Sequence, residues 1–316
     1  MKQEYEINKF SKEFNKEYGI LTYSGEMAIE VALRDINVEN KGVIIPNNIC
    51  YRVLLSILRC KGIPIFIQPK NFTLSKGDIE ETIKKYNNIS AIIIAHQYGI
   101  KSDIREIRKE VNNDKIKIIE DIAQGWGIKD IGKYSDYVVT SFGKTKPLSL
   151  GIGGAVFSDF ESMKELLDLN SKISRMSKKN ILPYLLPNNF KINYKKLKRI
   201  GNRNIKKQIK NAKLITEIVL NKYNKEVKYP ITNDAVWNRL PIWTQNKKIY
   251  RELIDKLRYY KIQYELPYRI KLNELPMLKG NKYYCEIDNS ETSSYVILIK
   301  VRNLKRRSIL KWKLRE

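Results

Sequence analysis

The chain has 316 residues, a hydrophobic content of 42% and a formal net charge of +26 at pH 7. This length allows one large domain, or a large and a small one, with a substantial core. The three cysteines have neither a paired nor a metal-type spacing, no apolar run approaches the ~20 residues that span a bilayer, and the first residues do not resemble a secretory signal. We therefore expect a soluble cytoplasmic protein without disulfides.

The positive charge is concentrated in the second half of the chain. Residues 1–160 carry a net charge of +3 and residues 161–316 a net charge of +23. A lysine-rich, solvated surface is one explanation. An anionic substrate, a membrane surface or nucleic acid are functional alternatives, and the charge distribution leaves them open.

Short apolar runs alternate with helical patterns through the first half. Residues 1–19 are predicted to form a short helix or arm, and Ser24 and Gly25 precede a further helical pattern. The predicted strands cover 42–45, 63–67, 89–94, 116–119, 137–140 and 154–157, and the predicted helices cover 49–59, 78–86 and 104–111. This alternation indicates an α/β fold with a mainly parallel sheet, which binds ligands at the carboxyl ends of its strands. His96, Asp121 and Ser141 are expected at those ends.

The second half changes character after residue 160. An apolar island at 181–187 interrupts a Lys- and Asn-rich stretch, and 206–223 reads as a long basic helix with one buried stripe. A smaller unit follows, with predicted helices at 250–260 and 304–314, an extended segment at 284–287 and a strand at 295–299. We predict a large domain at 1–223 and a small C-terminal α/β domain at 224–316.

A hydroxyl, two lysines and a glycine-rich turn follow the predicted strand 137–140. The segment Ser141–Pro147 leads to Gly151–Gly154, and Asp121 ends an apolar run about twenty residues upstream. Pyridoxal phosphate (PLP) needs a lysine for its Schiff base, a carboxylate for its protonated pyridine nitrogen and a nest for its phosphate. The combination predicts a PLP site.

These segments resemble the DegT/DnrJ/EryC1/StrS family of PLP-dependent sugar aminotransferases. The matching segments, in the family's order, are Ser24–Ile29, Ile44–Phe66, His96–Gly99, Ile119–Gly125 and Ser141–Gly154. The resemblance is clear over residues 20–160. It implies the fold of the aspartate aminotransferase superfamily (fold type I), a large PLP-binding domain and a homodimer with composite active sites.

The resemblance also assigns roles. Lys146, rather than Lys144, falls at the Schiff-base position and would move the proton during catalysis. Asp121 would keep the pyridine nitrogen protonated, Gln124 would lie at the ring's O3′ side, and His96 receives no definite role. The implied cofactor-binding set is Gly25, Glu26, Met27, Tyr51, Asp121, Gln124, Ser141 and Lys146, with Tyr51 stacked on the ring and Ser141 joining the amides of Glu26 and Met27 in the phosphate cradle.

Each of these residues has a structural alternative. Asp121 can be a helix N-cap, Lys146 a surface lysine and Ser141 a turn residue. Tyr51 can be ordinary packing, and His96 a buried imidazole with satisfied hydrogen bonds.

The sequence also departs from the family pattern. Ile152 replaces a glutamate, and Gln68 stands where the family usually has an aspartate. The segment that reaches the partner's active site is not recognisable, apart from a faint echo at 201–204, and the chain is shorter than typical members. PLP chemistry is therefore better supported by the sequence than any particular substrate.

The leading functional hypothesis is transfer of an amino group from an amino acid, with glutamate as the expected donor, to a keto group of a nucleotide-linked sugar or another anionic small molecule. A second hypothesis is a different PLP reaction, such as dehydration, decarboxylation or amination of a non-sugar ketone. Lys146 argues against dehydration, because the family's sugar dehydratases lack this lysine. A third hypothesis is a non-catalytic protein of this fold whose basic half binds nucleic acid or a membrane.

Overall fold

The computed structural model describes residues 2–69, 71–111, 115–164, 192–267, 271–286 and 294–313. The strands are β1 (Tyr18–Thr22), β2 (Gly42–Pro46), β3 (Ile63–Ile67), β4 (Ile89–Ala95), β5 (Lys117–Asp121), β6 (Tyr137–Ser141), β7 (Gly154–Ser158), β8 (Leu240–Thr244), β9 (Tyr264–Glu265), β10 (Tyr284–Glu286) and β11 (Tyr295–Ile299). The helices are α1 (Lys2–Ser11), α2 (Gly25–Ile36), α3 (Tyr51–Arg59), α4 (Lys76–Lys85), α5 (Ile104–Glu110), α6 (Tyr194–Tyr223), α7 (Lys247–Tyr259) and α8 (Arg306–Lys313). The apolar island at 181–187 lies outside the described residues.

Eight strands form the large sheet, in the order β1-β7-β6-β5-β4-β2-β3-β10. All neighbours in the run from β6 to β10 are parallel, whereas β7 is antiparallel to both β1 and β6. The predicted α/β fold with a large, mainly parallel sheet is confirmed. Although β10 belongs to the second half of the chain, it adds to the edge of this sheet beside β3.

The central strands are buried on both faces. Every residue of β2, β4 and β7 is buried, which explains why β4 reads as one continuous apolar run rather than an alternating pattern. Helices α2 and α3 pack over one face of the sheet, and α4 and α5 lie over the other with their own apolar cluster. The sheet therefore holds the ends of β4, β5 and β6 in a fixed arrangement.

Three further strands form the small sheet, in the order β8-β11-β9, with antiparallel pairing. Its core is shared with the second half of α6 and includes Leu253, Trp312 and Ile215. Neither β8 nor β9 was predicted. Helix α6 begins at Tyr194 rather than at 206, because the Asn193 side chain accepts a hydrogen bond from the Lys196 amide at 2.8 Å and caps the helix.

Most basic residues of α6 point away from the core. Before Glu217, the first acidic residue of the helix, its exposed basic residues are Lys195, Lys196, Arg199, Arg203, Lys206, Lys207, Lys210 and Lys213. At 100° per residue they fall within an arc of about 120°, opposite the buried stripe. Much of the excess charge of the second half therefore lies on one solvated helix face. Among the described residues, no helix is long and apolar enough to cross a membrane.

Candidate active site

The candidate site lies at the edge of the large sheet where the parallel strands end. Asp121 is the last residue of β5 and pairs with Ala95 of β4 on one side and Val139 of β6 on the other. Ser141 ends β6 beside Gly154, the first residue of the antiparallel strand β7. Parallel strands thus bring Asp121 and Ser141, which are far apart in sequence, to one edge, as the sequence predicted.

Asp121 is held by the backbone that follows it. The Ala123 amide donates to Asp121 Oδ1 at 2.8 Å. Burial raises the pKa of the Asp121 carboxyl, while the positive charge of nearby Lys146 and the Ala123 amide act in the opposite direction. A carboxylate in this position favours a cationic partner, because burial alone disfavours its charge.

Lys146 lies in a tight turn after β6, which we call the lysine turn (residues 143–147). The Lys146 amide donates to Gly143 O at 3.0 Å and closes the turn. Lys146 is half-buried, whereas Lys144 and Thr145 are exposed. Its positive charge acts to lower the pKa of the Asp121 carboxyl. Of the two lysines named by the sequence, only Lys146 is among the charges that act on the Asp121 carboxyl.

The start of α2 lies against the end of β6. A Cβ at Gly25 would be 2.8 Å from Ser141 Cβ and 3.4 Å from Ser141 Oγ. Glycine therefore permits an approach that any other residue would obstruct. The first amides of α2 have no acceptor within their own helix and point outward beside Ser141, an arrangement that suits an anion. We call the surface formed by Gly25, Glu26 and Ser141 the cradle.

One of the amides assigned to the cradle is already engaged. The Met27 amide donates to Ser24 Oγ at 3.2 Å, which caps α2. The Glu26 side chain is buried and turned toward α3, where it pairs with Arg52 at 2.7 Å and Arg59 at 2.5 Å. Two guanidinium groups thus offset the carboxylate that stands next to the cradle, and only the Glu26 backbone faces it.

Gln124 belongs to a chain of side-chain amides. Asn238 Nδ2 donates to Gln124 Oε1 at 3.0 Å, Gln124 Nε2 donates to Gln97 Oε1 at 3.1 Å, and Gln97 Nε2 donates to Asn48 O at 2.6 Å. The chain runs from the segment before β8 to the loop after β2. Because each amide is both donor and acceptor, the network fixes the orientation of Gln124 beside the site.

Tyr51 begins α3, close to where β2 ends. It is partly buried and packs on the apolar core between α2, α3 and the sheet, and the Arg52 guanidinium lies 5.6 Å from its ring centroid. These contacts agree with the packing alternative for Tyr51. Its stacking on a cofactor stays a prediction.

His96 is a structural imidazole. The Ser102 amide donates to His96 Nδ1 at 3.1 Å, and His96 Nε2 lies 2.8 Å from Glu120 Oε1. An amide can only donate, so Nδ1 is unprotonated and the neutral ring donates through Nε2 to Glu120. Glu120 Oε2 accepts from the Gly132 amide and the Ser135 hydroxyl, at 2.8 and 2.9 Å. His96, Gly132 and Ser135 together satisfy the buried Glu120 carboxylate, which lies next to the end of β5.

Sequence reasoning missed the polar residues that the small sheet and its flanking segments bring to the site. Asn238 precedes β8, and Arg302 follows β11 and donates to backbone carbonyls of the lysine turn. Gln97 was quoted within a motif but given no role. No local pattern marks Asn238 or Arg302, because their partners are more than a hundred residues away in sequence.

The three polar parts of PLP match groups that this site presents. Lys146 can take the aldehyde carbon, Asp121 the ring nitrogen and the cradle the phosphate. The cradle is the most specific feature, since a Cβ at Gly25 would fill it. The residues therefore fit the cofactor.

Comparison with known proteins identifies relatives. The description "DegT/DnrJ/EryC1/StrS aminotransferase family" belongs to the family model that matches residues 2–301. The 3-oxo-glucose-6-phosphate:glutamate aminotransferase of Bacillus subtilis (strain 168) is 31% identical over 242 residues, 72% of this chain and 54% of that protein. GDP-perosamine synthase of Escherichia coli O157:H7 is 29% identical over 163 residues, 49% of this chain and 44% of that protein. The chain thus spans about half the length of these relatives.

Solved structures share the fold. The structure of NtdA from Bacillus subtilis with bound cofactor PMP has a TM-score of 0.75 at 23% identity, covering 99% of this chain and 75% of that one. GDP-4-keto-6-deoxymannose-3-dehydratase with bound GDP-perosamine has a TM-score of 0.77 at 15% identity, covering 99% and 92%. At these identities the likeness establishes the fold alone, and the same fold holds both aminotransferases and a dehydratase.

Proposed function

Because the chain belongs to the DegT/DnrJ/EryC1/StrS aminotransferase family, we propose that it is a PLP-dependent aminotransferase that moves an amino group from an amino acid, with glutamate as the expected donor, to a keto group of a sugar. The observation that carries the proposal is the convergence of Asp121, the lysine turn and the cradle at one edge of the large sheet. When bound, PLP supplies an electron sink that stabilises negative charge on the reacting carbon.

Lys146 and Asp121 divide the proton chemistry. Lys146 Nζ would hold the cofactor at its aldehyde carbon and, when free, would take the proton from the donor's α-carbon and deliver it to that cofactor carbon. Asp121 would keep the pyridine nitrogen protonated. Burial disfavours the charge of the Asp121 carboxylate, so a pyridinium beside it would supply a compensating cation.

The remaining predicted residues bind and orient. The amides of Gly25 and Glu26 and the Ser141 hydroxyl hold the phosphate, with Met27 completing the capped first turn. Hydrogen bonds with Gln97 and Asn238 orient the Gln124 side chain. Tyr51 stacks on the ring from the start of α3.

The names of the relatives indicate two classes of sugar that could accept the amino group. The Bacillus subtilis relative with the longest match is named for a sugar phosphate, 3-oxo-glucose-6-phosphate, and for glutamate. Other relatives are named for nucleotide-linked sugars, such as the GDP-perosamine synthase of Escherichia coli. Both classes are anionic keto sugars and suit the basic second half. Steady-state assays with both acceptor classes, at equal glutamate, decide between them.

Lys146 also bears on the dehydratase alternative. A sugar dehydratase of this fold would not use a cofactor-holding lysine, whereas this chain has Lys146 in the turn that follows β6. We further propose a homodimer in the cytoplasm. Residues 1–223 and 224–316 would act as the large and small domains, apart from β10, which joins the large sheet.

The test is an absorbance spectrum of protein incubated with PLP and desalted. Wild type should retain the visible band of lysine-bound PLP, and glutamate should bleach it. The variant Lys146→Ala should lack the band. Lys144→Ala is the matched control, because Lys144 lies in the same turn but is exposed, and it should keep the band.

Each outcome decides something. A wild-type band that Lys146→Ala abolishes and Lys144→Ala preserves supports the proposed role of Lys146. A band that survives Lys146→Ala assigns the cofactor to another lysine. Absence of the band in wild type under saturating PLP overturns the enzyme proposal and directs attention to the basic face of α6.

A further inference from the structure

Arg302 reaches from the small sheet to the lysine turn. It lies in a short turn, Val301–Asn303, directly after β11. Its Nη1 donates to Lys144 O at 3.1 Å and to Lys146 O at 2.7 Å. Nη1 carries two hydrogens, so one serves each carbonyl. A single guanidinium therefore holds the backbone on both sides of Thr145.

Helix α6 braces the same two segments. Asn204 Nδ2 donates to Pro147 O at 2.7 Å, and Asn211 Nδ2 donates to Val301 O at 2.7 Å. The two asparagines lie seven residues apart, about two turns, on one side of the helix. The helix, the lysine turn and the Arg302 turn thus form a closed triangle in which every side is a hydrogen bond to a backbone carbonyl.

The contact of Arg302 is not an ordinary ion pair. Among the residues that the structure describes, no carboxylate pairs with Arg302. Burial lowers the pKa of its guanidinium, and the charge of Arg239 lowers it further. This partly buried position is unfavourable for a cation. The groups that Arg302 binds there are the two carbonyls of the lysine turn. Hydrogen bonds from a charged donor are roughly twice as strong as neutral ones.

We propose that Arg302 is a positioning residue that fixes the backbone of the lysine turn and thereby the direction in which Lys146 presents Nζ. The inference rests on the proposed function of Lys146, and it assigns Arg302 no contact with cofactor or substrate. Positioning matters because a misplacement of about 1 Å can lower a rate by roughly 100-fold. The triangle also links the small sheet to Lys146, so a shift of one moves the other.

The experiment compares wild type, Arg302→Met and Arg302→Lys. Arg203→Met is the matched control, since it removes an exposed arginine of α6. In cofactor-free protein, Arg302→Met should raise the hydrogen-exchange rate of the backbone amides in 143–150 by at least ~10-fold. This is the increase expected when one or two hydrogen bonds from a charged donor are lost. With PLP and glutamate, kcat should fall by ~10–100-fold while KM changes far less. Arg302→Lys should recover part of both, and Arg203→Met should match wild type.

Failure of the positioning role can be told apart from failure of the proposed function. If wild type forms the lysine-bound band but Arg302→Met matches it in exchange and in kcat, the positioning role is wrong and the proposed function stands. If wild type forms no band, the proposed function falls, and the positioning role falls with it. If Arg302→Met does not fold, as judged by its thermal transition, Arg302→Lys decides. A folded Arg302→Lys with raised exchange at amides 143–150 and a lowered kcat supports the positioning role, whereas exchange and kcat that both match wild type, or raised exchange with unchanged kcat, overturn it.

Discussion

The contact between Gly25 and Ser141 gives the sharpest prediction for the cradle. Replacing Gly25 by alanine adds a Cβ that would lie 2.8 Å from Ser141 Cβ and 3.4 Å from the Ser141 backbone. Carbon atoms prefer separations of about 3.5–4.0 Å, so the closest contact is too short by roughly 1 Å. Ser141 ends a buried strand and α2 is packed on the core, so neither side can yield easily.

Two opposing effects set the size of the change. Alanine favours a helix over glycine by about 0.5–1 kcal/mol, whereas overpacking of a tight contact costs about 1–3 kcal/mol. We expect a net loss of about 0.5–2 kcal/mol in the free energy of unfolding. Pushing α2 away from β6 also widens the cradle. The affinity for PLP should therefore fall by at least about 10-fold, which corresponds to about 1.4 kcal/mol.

Thermal unfolding of the cofactor-free protein and PLP titration measure the two effects. Gly77→Ala is the matched control, because a Cβ at Gly77 in α4 would meet only Ser75 Oγ at 3.9 Å. That variant should be stabilised by about 0.5–1 kcal/mol and should bind PLP like wild type. If Gly25→Ala is also stabilised and binds PLP with unchanged affinity, the close approach of α2 to β6 does not exist in solution and the reasoning fails.

Two further predictions concern buried polar groups. Because burial raises the pKa of Asp121, ionised Asp121 destabilises the cofactor-free fold at neutral pH; this penalty shrinks as the pH falls below the carboxyl's folded pKa and vanishes below its unfolded pKa. Asp121→Asn should therefore have a higher melting temperature than wild type at pH 7, and the difference should decrease toward acidic pH. The variant should also lose stable PLP binding. An equal or lower melting temperature at pH 7 contradicts the prediction. Gln208, on α6, is fully buried, and neither polar atom of its side chain has a partner among the described residues. Gln208→Met should raise the unfolding free energy by about 1–3 kcal/mol in chemical denaturation, and destabilisation would reveal an unrecognised partner of that amide.

Much of the site follows from local sequence. Asp121 and Ser141 lie within two residues of the ends of predicted strands, Lys146 lies in the turn that follows Ser141, and the rule that ligands gather at strand ends brings them together without knowledge of the packing. Ser24 is an N-cap by residue type alone, and the structure confirms its bond to the Met27 amide. The sequence assigned the Glu26 amide to the phosphate cradle but did not predict the ion pairs of its side chain. Its pairing with Arg52 and Arg59 depends on how α2 and α3 meet.

The sequence by itself determined the alternation of strands and helices, the order of the polar residues at the strand ends and the family. These are local or ordered features, and hydrophobic periodicity and motif spacing express them directly. Only the tertiary structure decided that β10 joins the large sheet and that the His96 ring is hydrogen-bonded to Glu120. It also decided that Asn238 and Arg302 reach the site from the segments that flank the small sheet. Such contacts join residues distant in sequence, and no local pattern encodes a partner that folding alone brings near.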